Sequence, residues 1–423
     1  MPNGAPDVWL VAGLRTPFVR VDGPLAQRDA LSLSVPVVAA MGAQASGQVD
    51  FGVWGSVVLN LAYANLAREV WIDAKLDPHV PTFTTVMQCS TSMIGVFEAA
   101  GMLGRGRDLA LCGGVESMSR VQIGLGQNLS DWLRHLTQAR DVSRRIEVLT
   151  ELNVGDIRLH VPEIKNRATG KSMGEHCEEM AKTWDVSRET QDAIALASHR
   201  NAVAAQERGF FNDLVISVDG VTHDGFPRRD TSAEKLAGLP PAFDRTSGRG
   251  TITAGNSSPL TDGAAGVWVA TEEGLLRLPS SLPRARLVDF EIAAIDLFHE
   301  GLLMAPVSAI PRLLSRHGLR YADVDLWEIH EAFAAQVECH IRALEDPAFV
   351  REKAGVEYTF GPFPRARVNP NGGSVALGHP FGATGARILS QAVKELMAMP
   401  QGSRAIVSIC ADGGQGTVAL LEV

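Results

Sequence analysis

Apolar runs and helix-period stretches alternate along the chain, and the alternation occurs twice. Residues 8–14 are continuously apolar and stop at Arg15-Thr16-Pro17, which predicts a strand followed by a break. Residues 30–41 carry helical periodicity, and 53–59 read as a second strand. β-branched residues then lead up to Cys89, small hydroxyl residues follow it, and 93–103 continue as a helix. Cys89 therefore falls at a strand-to-helix junction, where the helix dipole favours a thiolate and is expected to lower the thiol pKa. Residues 106–116 predict a short buried strand ended by a Gly113-Gly114 turn.

The C-terminal part repeats this plan. Residues 285–290 echo 8–14 as an opening strand. Residues 369–387 form a stretch dense in glycine (Gly372, Gly373, Gly378, Gly382, Gly385) that opens into a helix pattern at 388–397. In its middle stands one titratable side chain, His379, followed by Pro380. A strand over 402–410 then ends at Cys410 and a Gly413-Gly414 turn, and 418–422 close the chain as a last strand. The fold class is thus α/β, with two similar halves that each cover a mixed sheet with helices. Between them, 121–249 have another texture: charged helical patches over 130–152, a turn at 171–174, a helix over 187–207 capped by Ser187, and proline-rich loops near 227–230 and 239–243. The expected organisation is 1–120 plus 250–280 as one half, 121–249 as an inserted loop domain covering the site, and 281–423 as the other half. Within 130–152, Trp132, Leu133, Leu136, Ile146 and Leu149 mix with both charge signs, which favours a solvated helix with one packed face over a membrane-surface helix.

Composition narrows the function. The net charge of −9 is spread without blocks, so no nucleic-acid footprint is expected. Residues 8–14 are too short for a signal peptide and no apolar run reaches membrane-spanning length. The five cysteines (Cys89, Cys112, Cys177, Cys339, Cys410) lack paired spacing, which reads as reduced thiols in a cytoplasmic setting. No CxxC occurs, and His330-Glu331 begins like a metal-binding HExxH helix but has Ala334 at the fifth position, so no metal is expected.

What remains is thiol and imidazole chemistry. A cysteine at a helix N-terminus is a candidate nucleophile, and a histidine in a glycine-rich loop could take its proton. A second cysteine before Asp412-Gly413-Gly414 could serve as acid or base. Loop N–H groups at Cys89 and after Cys410 could hold an oxyanion. Together these point to acyl transfer through a thioester, with Cys112, Cys177 and Cys339 as buried apolar fillers.

The motifs Gln88-Cys89-Ser90-Thr91-Ser92, Cys112-Gly113-Gly114-Val115-Glu116, Thr253-Ala254-Gly255-Asn256-Ser257-Ser258 with Asp262-Gly263-Ala264-Ala265, His330-Glu331-Ala332-Phe333, Asn369 through Gly378-His379-Pro380, and Cys410-Ala411-Asp412-Gly413-Gly414 make the chain resemble a thiolase along nearly its whole length. The resemblance implies two βαβαβαββ halves in an α/β/α/β/α stack. Cys89 would carry the acyl group, His379 would activate it, and Cys410 would exchange the α-proton. The N–H groups of Cys89 and Asp412 would form one oxyanion hole. His330 stands where many thiolases have asparagine, which orients a water in the other; the histidine form resembles β-subunits of fatty-acid-oxidation trifunctional complexes. Contacts to coenzyme A, a substrate here and not a cofactor, would fall on Met173, Arg228, Phe243, Ala254, Ser258, Ala332 and Phe333. Two positions depart from the pattern: Pro240 replaces a common arginine, and Asp412 replaces a small residue and is expected to raise the Cys410 pKa.

The implied activity is a 3-ketoacyl-CoA thiolase of fatty-acid β-oxidation. The alternatives are acetoacetyl-CoA synthesis by the same machinery, or a non-catalytic acyl-CoA-binding subunit. Expected partners are acyl-CoA and CoA, a second copy in a homodimer or homotetramer, and a hydratase/dehydrogenase α-subunit.

Overall fold

The computed structural model describes residues 6–423. The first half runs β1 (Val8–Val11), β2 (Val19–Arg20), α1 (Ala30–Gly42), β3 (Phe51–Gly55), α2 (Leu66–Asp73), β4 (Thr82–Phe83), α3 (Thr91–Met102) and β5 (Leu109–Glu116). The middle segment carries β6 (Gly124–Leu125), α4 (Gln127–Gln138), α5 (Val142–Thr150), β7 (Leu159–His160), α6 (Met173–Thr183), α7 (Arg188–Glu207) and α8 (Ala233–Ala237). The chain then returns to the first half with β8 (Thr261–Ala270) and α9 (Glu272–Leu275). The second half runs β9 (Arg284–Ala294), α10 (Pro306–Arg316), β10 (Leu326–Ile329), α11 (Ala334–Glu345), α12 (Pro347–Ala354), α13 (Ser374–Leu377), α14 (Thr384–Leu396), β11 (Arg404–Ala411) and β12 (Gln415–Glu422).

The strands of both halves join through antiparallel β1 and β9, in the order β4-β3-β5-β8-β1-β9-β12-β11-β10, with β2 on β8. Parallel β3–β5 and β10–β11 pairs occupy equivalent places in the two halves. The second half lacks one regular strand: its place is held by a single parallel bridge between Trp327 and Val368.

Three apolar clusters mark three helical layers. One packs α1 and α2, with Leu33, Val37, Val70 and Trp71. Another packs α10 and α11, with Ile310, Leu313, Val337 and Ile341. Between the sheet faces lies the third, where Met93 and Val96 of α3 meet Ile388 and Leu389 of α14. This is the expected α/β/α/β/α stack, with burial of these faces as its main driving term. Gly385 lets α14 close on α3, since a Cβ there would stand 2.5 Å from the Met93 backbone nitrogen. The Ala386 amide donates to Ser92 Oγ at 2.8 Å across the same contact.

Several local expectations shift. The second strand is Phe51–Gly55, not 53–59, because the amides of Val57 and Val58 donate to the Glu116 carboxylate instead of a neighbouring strand. Gly113 and Gly114 lie inside β5 and make no turn there. The turn expected at 171–174 is a helix start: Ser172 and Glu175 form a capping box that opens α6. Residues 130–152 divide into α4 and α5, tied by Trp132 Nε1 donating to Val148 O at 2.7 Å. Leu133, Ile146 and Leu149 are exposed, so the packed face expected there is confined to the contact between the two helices.

Candidate active site

The two halves bring four side chains to one place. Cys89 sits in the single turn Gln88–Ser90 that leads into α3. Gln88 adopts φ +43°, and Thr91 holds the turn by donating from Oγ1 to Gln88 O at 2.7 Å and accepting from the Met87 amide at 2.9 Å. Cys410 lies at the end of β11, paired with Gly416. His330 follows β10, its amide bonded to Ser408 O at 2.8 Å. His379 follows α13, its amide donating to Thr261 Oγ1 of β8 at 2.9 Å.

The rings of His330 and His379 lie 4.2 Å apart between centroids. Each keeps Nδ1 on a hydroxyl: Ser374 Oγ at 2.9 Å for His330 and Thr384 Oγ1 at 2.6 Å for His379. Neither Nε2 has a hydrogen-bond partner although both are buried. The Cys89 sulfur and a nitrogen of each ring fall within 4.8 Å of one another. A thiol beside an imidazole lone pair is the arrangement that nucleophilic catalysis uses, and the same three donors would also suit a soft divalent ion.

Burial dominates the electrostatics. It pushes the Cys89 thiol up to about 12, with the Asp412 carboxylate adding to the effect. This overturns the expected lowering by the helix dipole: a rise of about three pH units is on the order of 4 kcal/mol, against roughly 1 kcal/mol from a helix end. Cys410 is pushed up by burial and then by Cys89. Burial first, and Arg387 second, hold His379 down to about 3. Burial, then His379 and Arg387, depress His330 well below its ordinary value. At neutral pH the resting group is thiols and uncharged imidazoles. Asp412 acts on Cys89, whereas the sequence placed its influence on Cys410. Asp412 Oδ1 accepts from Asn166 Nδ2 at 2.8 Å and the Gly413 amide at 2.6 Å, which fixes it toward the middle segment.

Family models of the thiolase N-terminal domain and the thiolase C-terminal domain match residues 8–273 and 281–423. The chain belongs to the thiolase family. The 3-ketoacyl-CoA thiolases of Yersinia enterocolitica and Yersinia pestis are each 35% identical to it, over 98% of this chain and 97% of theirs. Among solved structures, the Acat5 thiolase of Ascaris suum in complex with coenzyme A is 28% identical with a TM-score of 0.78, covering 98% of this chain and 99% of that one. The acetyl-CoA acetyltransferase of Bacillus anthracis is 30% identical with a TM-score of 0.80, covering 99% of both chains. This thiolase is therefore an acyltransferase. Among the described residues no helix is long and apolar enough to cross a membrane.

Of the residues expected to meet coenzyme A, several gather on one side of this thiolase's site. Phe243 packs edge-on against Phe333 at 5.8 Å, and the Ser258 amide donates to Ala332 O at 3.0 Å. Met173 packs against the same apolar cluster, and Ala254 is exposed on the neighbouring loop. Arg228 is held by its own amide, which donates to His199 Nδ1 of α7 at 3.4 Å.

Other groups that shape the site were not singled out from the sequence. Glu331 is buried and accepts from Ser198 Oγ, Asn369 Nδ2 and the Val375 amide, fastening the end of β10 to the glycine-rich loop. Glu116 accepts from Ser56 Oγ, two loop amides and the Gly382 amide, clamping that loop to β5. Ser374, Thr384 and Arg387 surround the histidines. All three lie in the stretch picked out by its glycines, and Glu331 and Glu116 lie in motifs picked out for their neighbours.

Proposed function

We propose that this thiolase cleaves 3-ketoacyl-CoA with CoA, giving acetyl-CoA and a shortened acyl-CoA, in fatty-acid β-oxidation. Cys89 Sγ attacks the 3-keto carbon while its proton passes to His379 Nε2. The C2–C3 bond then breaks, the acyl group stays on Cys89 as a thioester, and the departing enolate takes a proton from Cys410. CoA replaces acetyl-CoA in a ping-pong sequence. Its thiol returns a proton to Cys410, its sulfur takes the acyl group, and His379 reprotonates Cys89. The N–H groups of Cys89 and Asp412 hold the thioester oxygen, and His330 serves the oxyanion of the C–C cleavage step. The observation that carries this reading is the Cys89 thiol within 4.8 Å of two imidazoles whose Nε2 atoms are buried and free.

Met173, Arg228, Phe243, Ala254, Ser258, Ala332 and Phe333 receive CoA, the first three contributed by residues 121–249 as an inserted domain over the site. The working unit is a homodimer or homotetramer in the cytoplasm, with a hydratase/dehydrogenase α-subunit as the partner that supplies 3-ketoacyl-CoA. His330 and the 3-ketoacyl-CoA thiolase relatives favour degradation of longer chains. The likeness to an acetyl-CoA acetyltransferase favours the four-carbon reading instead. Thiolysis by the purified chain across substrates of four to sixteen carbons separates the two. Turnover that rises with length is expected; activity confined to four carbons would leave acetoacetyl-CoA as the substrate. Cys89→Ala should abolish transfer and retain CoA binding, and normal turnover in that variant would overturn the assignment of the nucleophile.

A further inference from the structure

A neutral imidazole carries one proton, and the group bonded to one ring nitrogen decides which nitrogen holds it. His330 and His379 are both neutral here, and each has a single hydroxyl on Nδ1. The two hydroxyls differ in what else they touch.

Thr384 Oγ1 lies 2.9 Å from Pro380 O and 2.6 Å from His379 Nδ1. A carbonyl oxygen only accepts, and two oxygens this close repel unless a hydrogen lies between them. The hydroxyl hydrogen of Thr384 therefore points at Pro380 O, the usual back-bond of a threonine in the first turn of a helix. His379 Nδ1 must then donate to Thr384, which leaves Nε2 as a bare lone pair.

Ser374 Oγ lies 2.7 Å from Arg387 Nη2 and 2.9 Å from His330 Nδ1. A guanidinium only donates, so Ser374 accepts from it. The hydroxyl hydrogen of Ser374 has one acceptor among the described residues, His330 Nδ1. His330 Nδ1 therefore accepts, and its Nε2 carries the proton. Arg387 is 2% exposed and cannot swing out to solvent, so the direction of this relay is fixed.

We propose that the segment 374–387 locks the two imidazoles in opposite tautomers, His379 accepting and His330 donating through Nε2 into the same space, with Thr384 positioning the first and the Ser374–Arg387 pair the second. The inference deepens the proposed roles of the two histidines and rests on them for its kinetic consequence. One ring is ready to take the thiol proton, and the other is ready to donate to an oxygen that gains negative charge. The same lock removes one metal donor, because His330 in this tautomer has no free lone pair.

The test is proton–nitrogen correlation NMR of ¹⁵N-histidine-labelled protein without substrate, with His330→Asn and His379→Asn used to assign the two ring signals. His379 should report a protonated Nδ1 and His330 a protonated Nε2. In Ser374→Ala the His330 pattern should change and that of His379 should persist, while kcat for thiolysis falls about tenfold at nearly constant KM. Ser374→Thr, which keeps the hydroxyl, should restore both. Like tautomers for the two rings, or a His330 pattern indifferent to Ser374→Ala, would overturn the inference, and the wild-type spectrum alone decides the first point. Like tautomers in a protein that thiolyses sink the lock alone. Opposite tautomers in a protein without turnover sink the proposed function and leave the lock standing.

Discussion

Gly114 offers the sharpest test of how the halves are joined. It pairs with Gly55 of β3 and Ala265 of β8, and a Cβ there would stand 2.2 Å from Gly382 O and 2.8 Å from Gly55 O. Ordinary carbon–oxygen contact is roughly 3.3 Å, so Gly114→Ala demands a retreat of about 1 Å. Both opposing atoms are backbone and cannot rotate aside. β3 is held on both edges by parallel partners, so the loop at 380–383 must move. That loop also carries the Gly382 amide bonded to Glu116 and begins directly after His379. Overpacking of this size costs about 1–3 kcal/mol of stability, and a 1 Å displacement at a site costs on the order of a hundredfold in rate. The assay is kcat/KM for thiolysis beside the melting temperature. Gly101→Ala is the control: this glycine lies on the exposed face of α3 with no atom within 4 Å of a built Cβ. The control should gain roughly 0.5–1 kcal/mol from better helix propensity and keep its rate. Wild-type kcat/KM in Gly114→Ala would refute the argument, because the loop would then have room that the geometry denies it.

Three further outcomes follow from the charges. Alkylation of Cys89 by iodoacetamide should climb with pH through at least 10, because the thiol is held up to about 12 and the thiolate fraction keeps growing until then; a plateau near pH 8 would contradict this. Asp412→Asn removes a like charge, lowers that pKa, and should speed alkylation at fixed pH by about tenfold, with an unchanged or slower rate counting against it. Glu116→Gln turns an acceptor for four donors into a group that presents N–H₂ to some of them; it should cost roughly 1–3 kcal/mol in denaturant unfolding and lower thiolysis, and an unaffected midpoint would show the clamp is not needed.

How much of this was legible depended on range. The α1 and α7 helices and the Ser187 cap are local matters of periodicity and capping and stand where the sequence placed them, while the first strand starts at Val8 as expected but ends at Val11 and not at 14. Cys89, His379 and Cys410 stood out as candidates because glycine and small residues around them have no packing reason within their own segment. Gly113-Gly114 misled for the opposite cause. Its local reading is a turn, but the reason for two glycines is the approach of Trp54, Ala265 and Gly382, the last far along the chain. The start of α6 was readable, since Ser172 and Glu175 have capping-box spacing, and the neighbouring Lys-Ser-Met-Gly run hid it. The Cys89 pKa went the wrong way because a dipole can be read from sequence while desolvation belongs to the assembled site. The partners of the histidines were invisible for a similar reason: Ser374, Thr384 and Arg387 matter through the direction of single hydrogen bonds, which no spacing encodes.

A partly buried thiol beside a buried imidazole, both neutral, needs a way to start the reaction. Burial holds the Cys89 thiol up and the His379 imidazole down, so a thiolate–imidazolium pair in the empty site is disfavoured and the reaction needs a route that avoids it. The geometry supplies a way for that. If the sulfur bonds to carbon as its proton leaves, the negative charge never rests on Cys89, where burial and Asp412 oppose it. It moves to the substrate oxygen, where a protonated His330 Nε2 would meet it. The features that make the free thiol inert then stop acting as soon as the bond forms. A site of this kind stays unreactive toward oxidants and alkylators until its own substrate arrives. On the proposed roles, its rate would come from the donor on His330 and not from a standing thiolate.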